Sequence, residues 1–218
     1  MERAECLSRR RFVVGLIGVW ATGCKTEKDK KDEELAKRRK DAADVVETLG
    51  EIAKAAKKDK ADKPPKKGAK GIGYVLLEEL EVTLDGEPRP DLNLDYMSAN
   101  LWLDAVRDVS GGRKADLRHF ESLGRLAYVG VVVPREVKKP KLTDNGFKFD
   151  GGTFAGDVLI YSVHDGKRLG GASFAARSSE KVDFKQTGSR EDNAAYWMMH
   201  DFGEQIAKAA KEASNAEP

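Results

Sequence analysis

The side chains best suited to chemistry in this 218-residue chain are three histidines, two cysteines and a few serines. Nucleophilic catalysis needs a serine or cysteine beside a base, and a zinc site needs several His, Cys or carboxylate ligands that converge. His119, His164 and His200 stand far apart, and none has a second histidine or cysteine at ligand spacing. His164 precedes an Asp165-Gly166 turn and is expected at the surface of a hairpin. His200 and Asp201 are adjacent rather than four apart, so they do not share a helix face. Ser110, Ser173, Ser178 and Ser179 lack the G-x-S-x-G setting of a nucleophile elbow. The glycines form neither G-x-x-x-x-G-K-[ST] nor G-x-G-x-x-G. These residues assign no catalytic group, no metal ligand and no cofactor. Two possibilities stay open: scattered carboxylates meeting across an acidic cleft, and Trp102, Tyr196 and Trp197 forming a ligand platform. Aromatics at helical spacing belong more often to a core.

Cys24 stands in a different setting. Arg3, Arg9, Arg10 and Arg11 give a positive start, Phe12 to Trp20 is apolar apart from Gly15 and Gly18, and Ala21-Thr22-Gly23 are small. That is the layout of a cleaved signal peptide over residues 1–23. About nine apolar residues reach ~14 Å as a helix, whereas a bilayer core of ~30 Å needs roughly twenty. Ala21-Thr22-Gly23-Cys24 resembles the lipobox of bacterial lipoproteins, with Ala21 where leucine is usual. The resemblance implies a diacylglyceryl group on the Cys24 sulfur, cleavage after Gly23 and acylation of the new amine. Two or more acyl chains hold a membrane stably where one does so marginally. Ser8-Arg9-Arg10-Arg11-Phe12-Val13 resembles the twin-arginine export motif, with Val14 where lysine is usual. On that resemblance Ser8, Arg9, Arg10 and Phe12 form the export signal; an ordinary positive n-region is the other reading. The twin-arginine resemblance implies export and the lipobox resemblance a lipid anchor, so together they imply a membrane-held protein of the bacterial cell envelope, facing the periplasm or the exterior.

Removing the leader leaves 35 basic and 35 acidic residues, a net charge of zero. The basicity of the whole chain thus belongs to the leader and gives no reason to expect a nucleic-acid partner. The zero is unevenly spread: Lys25 to Lys70 carries a net of +5 and Gly71 to Pro218 a net of −5. A basic stretch beside a lipid suits an anionic membrane surface, and a solvated charged spacer is the plainer reading. With Cys6 in the leader and Cys24 acylated, no disulfide is available, so stability must come from an apolar core.

Residues 24–70 are expected to form a lipidated, charged stalk. Lys25 to Lys40 is almost wholly charged, a composition that cannot stay ordered alone. From Asp41 a helical stripe follows: Ala42, Val45, Val46, Leu49, Ile52, Ala53 and Ala56. It spans two heptads, fewer than the three or four a coiled coil requires, and a helix packed loosely on its own domain or lying free is the plainer reading beside a short coiled-coil seam. Pro64-Pro65 ends it, and a domain boundary is expected at 70/71.

Residues 71–218 are expected to form the folded domain. Leu80, Val82 and Leu84 alternate with Glu79, Glu81 and Thr83, the period of a half-buried strand. Leu94, Met97, Leu101, Ala105 and Val109 predict a helix capped by Asp91 or Asn93 and stopped by Gly111-Gly112. Arg113 to Leu123 reads as a loop with a helical turn. The Tyr- and Val-rich segment 124–137 predicts a strand that ends at Pro134 or lies at an edge. Lys138 to Asn145 reads as a turn, and Phe147, Phe149 and Phe154 frame a strand or turn. Asp165-Gly166 between apolar runs predicts a type I′ hairpin, with Gly170-Gly171 a bulge or a site of tight packing. A last helix, capped by Ser189 or Asp192, carries Ala195, Met199, Phe202, Ile206 and Ala209 on one stripe, with a tail fraying after Ala213.

The expected fold is α+β: a mostly antiparallel sheet with two amphipathic helices packed on one face. The expected function is that of a lipid-anchored envelope protein, without enzymatic activity, whose domain binds or scaffolds an envelope protein partner. An enzyme acting on envelope polymers and a small-ligand binder are the alternatives. The sequence leaves the oligomeric state open.

Overall fold

A computed structural model describes residues 26–64, 72–88, 90–94, 100–112, 114–143, 148–182 and 190–215, with side chains of 190–192 outside that description. The leader, with Ser8, Arg9, Arg10, Phe12 and Cys24, lies outside the described residues.

The order of elements is α1 (Glu27–Ala56), β1 (Ile72–Leu76), α2 (Leu77–Leu84), α3 (Leu101–Val109), α4 (Leu117–Gly124), β2 (Tyr128–Lys138), β3 (Lys141–Thr143), β4 (Lys148–Asp150), β5 (Thr153–Ser162), β6 (Arg168–Arg177) and α5 (Arg190–Asn215). The fold is α+β. Four strands form a mixed sheet in the order β1-β2-β5-β6, and β3 and β4 form a separate two-stranded ribbon. β1 runs parallel to β2, whereas β2–β5 and β5–β6 are antiparallel.

Helices cover both faces of this sheet rather than the one face expected. The two-residue period of the strands divides the core. Val75, Val129, Val131, Leu159 and Tyr161 pack with α1, α2, α3 and α4. Leu76, Val132, Phe154, Val158 and Ile160 pack with α5 through Phe202, Ile206 and Ala210. No described helix is long and apolar enough to cross a membrane.

The largest revision concerns the expected stalk. Its helix begins at Glu27, not near Asp41, because Thr26 closes a capping box with Asp29. The charged turns carry Glu27–Lys31 and Glu34–Arg38 pairs at i,i+4, each of which adds a few tenths of a kcal/mol. The second half is no stalk: Ala42, Leu49, Ile52, Ala53 and Ala56 are buried in the core with Leu80, Leu103 and Leu123. The segment after the helix is tied down as well. Tyr161 Oη donates to Asp59 at 2.8 Å, Arg168 pairs with Asp62, and Gly171 N donates to Lys63 O at 2.7 Å. The core therefore includes residues placed before the expected boundary at 70/71.

The strand expected through Leu80, Val82 and Leu84 is the helix α2. Its buried positions are Leu77, Glu79, Leu80 and Thr83, of which Leu77, Leu80 and Thr83 step by three, and the two-residue alternation coincides with that face over a few residues only. In α3, Trp102, Leu103, Ala105 and Val106 are buried. The helix starts later than expected, after Asn100 rather than Asp91 or Asn93, and Met97 lies outside the described residues. Gly111 ends it with φ +91°, a left-handed conformation that glycine adopts without penalty. Leu117–Gly124 is a full helix, α4, capped by Asp116.

β2 continues through Pro134. The proline sits beyond the reach of β1, which pairs only with Tyr128 to Val132, and the ladder to β5 shifts between Pro134 and Glu136. Part of the expected turn 138–145 is β3. The β5–β6 hairpin forms as expected, but four residues separate Ser162 from Lys167, whose carbonyl accepts from Ser162 N at 2.9 Å. The turn is therefore longer than a two-residue type I′. Gly170-Gly171 fulfils both expectations: the register shifts beside Gly170, and a Cβ on Gly171 would lie 2.7 Å from Leu159. In α5 the buried stripe is Ala194, Met198, Phe202, Ile206 and Ala210, one residue off the expected one at three of its five positions, and the helix holds to Asn215.

Candidate functional site: the open end of the sheet

The histidines take up local roles. His164 is exposed in the β5–β6 turn. On α5, the His200 ring centroid lies 5.1 Å from that of Trp197 and 6.1 Å from that of Tyr196, and Nδ1 is 3.7 Å from Glu204. His119 stands between two carboxylates, with Nδ1 2.8 Å from Asp116 and Nε2 3.4 Å from Asp104. The hydrogen bond from Arg118, first, holds the Asp116 carboxyl down at about 2. Two carboxylates thus meet around this histidine, and the arrangement reads as a cap: Asp116 accepts from the N–H groups of Arg118 and His119 in the first turn of α4. The D-x-x-H spacing was the signal for it. Among the described residues, no group of three or more His, Cys, Asp or Glu is placed to hold a metal ion.

The serines are structural ties. Ser110 follows α3 as its C-cap. Ser178 Oγ accepts from Gly152 N at 2.9 Å, and Ser179 donates to Asp201 through N and Oγ at 2.7 and 2.5 Å. The aromatic platform is not assembled. Trp102 is buried on the α1–α4 side of the sheet, with Nε1 donating to Asn100 at 3.2 Å. Tyr196 and Trp197 lie on α5 across the sheet from it.

What the topology does bring together is the far end of β2, β5 and β6. Register places Lys138, Thr153 and Arg177 side by side, then Glu136, Ala155 and Ala175, then Val133, Asp157 and Ser173. These lie on the face that α1–α4 cover farther along, at Leu159 and Tyr161. Here that face is open: Thr153 and Ala155 are half-buried, and Ser173, Ala175 and Arg177 are exposed. Small side chains make its floor, and a trough of about 470 Å³ lies between Glu136 and Arg177. Beneath it, Phe154 and Phe174 stack at 5.4 Å toward α5.

Asp157 is the chemical centre of this end. It is 4% exposed. One carboxylate oxygen accepts from Ser173 Oγ at 2.7 Å and the other from Arg135 Nη2 at 2.5 Å. A buried carboxylate requires such partners. With both oxygens engaged, Asp157 pins the half-exposed Arg135 guanidinium over the floor. Glu136 and Arg177 line the trough from opposite sides, and Lys138 neighbours Thr153 across the β2–β5 ladder. Sequence reasoning missed this site. Its signal was Asp157 itself, a charge inside the otherwise apolar run 154–161.

No family model matches the chain, and no curated protein or solved structure matches it.

Proposed function

We propose that this protein is a lipid-anchored binding module of the bacterial cell envelope: Cys24 carries the acyl chains, α1 holds the domain off the membrane, and the open end of the sheet engages an envelope protein. The observation that carries the reading is the position of Thr26. It caps α1 two residues after Cys24, so acyl chains on Cys24 are joined through Lys25 to a helix rather than to a flexible tether. The exposed, charged turns before Ala42 give a spacer of ~22 Å. The basic excess of Lys25 to Lys70 favours an anionic membrane surface. The test is fractionation of cells making the parent or Cys24→Ser. The parent is expected in the membrane pellet until detergent releases it, and the variant in the soluble fraction with an unchanged thermal transition. A variant that stays in the pellet defeats the anchor.

A further inference from the structure

The sheet has two outer strands, and several of their free backbone groups are covered or removed. On β1, Tyr74 O accepts from Asn100 Nδ2 at 2.7 Å. Where β2 overhangs β1, Pro134 removes a donor, the ladder breaks at Arg135 and Lys138 adds charge, the usual devices that blunt an edge. The first half of β6 carries the shift beside Gly170, and its Gly171 N–H is taken by Lys63 O.

From Ser173 to Ala176 none of these devices is present, and the charge of Arg177 closes the stretch. Strand alternation fixes which groups point outward. Gly171 N–H faces away from β5, so the N–H and C=O groups of Ser173, Ala175 and Arg177 do too. No described residue bonds the outward groups of Ser173 or Ala175, and both residues are exposed. The stretch holds no proline, bulge or lysine.

We propose that this edge takes an extended acidic peptide segment of a partner protein as a fifth strand. The proposal rests on the binding-module reading and names the chemistry of its partner. Main-chain bonds to Ser173 and Ala175 supply affinity, and alternate side chains supply specificity. On the open face the incoming side chains meet Arg177, and the Arg135 guanidinium, held over β5 by Asp157, adds positive charge farther in, which suits carboxylates. On the other face they meet half-buried Phe174, which suits small apolar groups. The recognised pattern is therefore acidic and apolar in alternation.

Two measurements test it. In the free protein, amide exchange at Ser173 and Ala175 should be about a hundredfold or more faster than at Ala172 and Phe174, whose N–H groups face β5. Equal protection of all four overturns the proposal, because the edge is then already covered. A fluorescein-labelled nonapeptide of alternating Glu and Val should bind and slow exchange at those two amides. The same peptide N-methylated at alternate amides should bind at least tenfold more weakly. Equal binding of the two peptides reduces the effect to charge attraction and overturns the proposal, as does absence of binding at millimolar peptide. Ala175→Pro removes an outward donor while leaving the bonds to β5, so it should fold and lose at least tenfold in affinity. If the parent instead sediments as a dimer that Ala175→Pro dissociates, the occupant is a second copy and the peptide proposal fails. These outcomes do not depend on where Cys24→Ser fractionates, so failure of the edge and failure of the anchor are told apart.

Discussion

α1 and α5, of 30 and 26 residues, are the two long helices among the described residues, and they lie on opposite faces of one sheet. α5 buries a residue at every fourth position, from Ala194 through Met198, Phe202, Ile206 and Ala210 to Ser214. It reaches from β6 across to β1, where Tyr74 Oη and Ser214 Oγ meet at 2.7 Å; burial, first, pushes the Tyr74 hydroxyl up. α1 buries nothing before Ala42 and much of its second half. Equal regularity of backbone thus conceals two constructions. One helix is held along its whole length by packing. The other is held at one end and extends from there on capping, ion pairs and the Arg39–Asp108 contact. Most helix stability comes from tertiary packing rather than propensity, so the first half of α1 depends on the second.

The largest effect expected from this contrast is that of removing α1. A fragment beginning at Gly71 strips Leu49, Ile52 and Ala56 from Leu80, Leu103 and Leu123, and also loses Asp59 and Lys63. Each large buried side chain contributes roughly 1.5–3 kcal/mol to a domain stability of about 5–15 kcal/mol. The fragment should show no cooperative thermal transition by circular dichroism; a sharp transition would restore the boundary at 70/71. Single truncations come next. Phe202→Ala should cost about 3–5 kcal/mol and Leu49→Ala about 2–5 kcal/mol in urea unfolding. A Leu49→Ala variant as stable as its parent would return the second half of α1 to the solvent.

A smaller effect is expected at Asp116, the cap of α4 against which α1 packs. Asp116→Ala should cost about 1 kcal/mol. The hydrogen bond from Arg118 holds the folded carboxyl at about 2, below the 3.8 usual for an aspartate. Its contribution is therefore present above pH ~4 and fades as pH falls through the folded value. NMR titration should find the carboxyl near 2, and Asp116→Asn should flatten that part of the acid unfolding curve. The smallest effect is trimming Thr26 to Glu34, which removes the Thr26–Asp29 capping box and exposed ion pairs far from the core and should change stability by about 0.5 kcal/mol or less. A larger loss would mean that the charged turns help to hold the core.

How much of this was legible follows from what each signal measures. Phe202 and Ile206 were found because helical periodicity reports burial directly. The ends of the stripe were misassigned because Ala194-Ala195, Met198-Met199 and Ala209-Ala210 are pairs of like residues, between which a period cannot choose. The stripe from Ala42 to Ala56 was equally visible, but the surrounding lysines and Pro64-Pro65 suggested separation from the domain. Only tertiary partners such as Tyr161 and Arg168, a hundred residues on, decide the point. α2 was mistaken for a strand because Leu80, Val82 and Leu84 satisfy a period of two over a window too short to exclude a period near three. The trough escaped notice for a different reason. Ala155, Ser173 and Ala175 have no distinctive chemistry, and their interest lies in which strands are neighbours and where the covering helices stop.

Several ties between residues 26–64 and the remainder span a long stretch of chain: Arg39 to Asp108, Asp59 to Tyr161, Lys63 to Gly171. β1, too, waits for Tyr128 before Ile72 has a partner. The consequence is kinetic. A helix forms in about a microsecond, but closing such loops is entropically slow and sets the pace of folding. Throughout that interval Leu49 and Ile52 remain uncovered, so yield on refolding should fall as protein concentration rises, with association competing against closure.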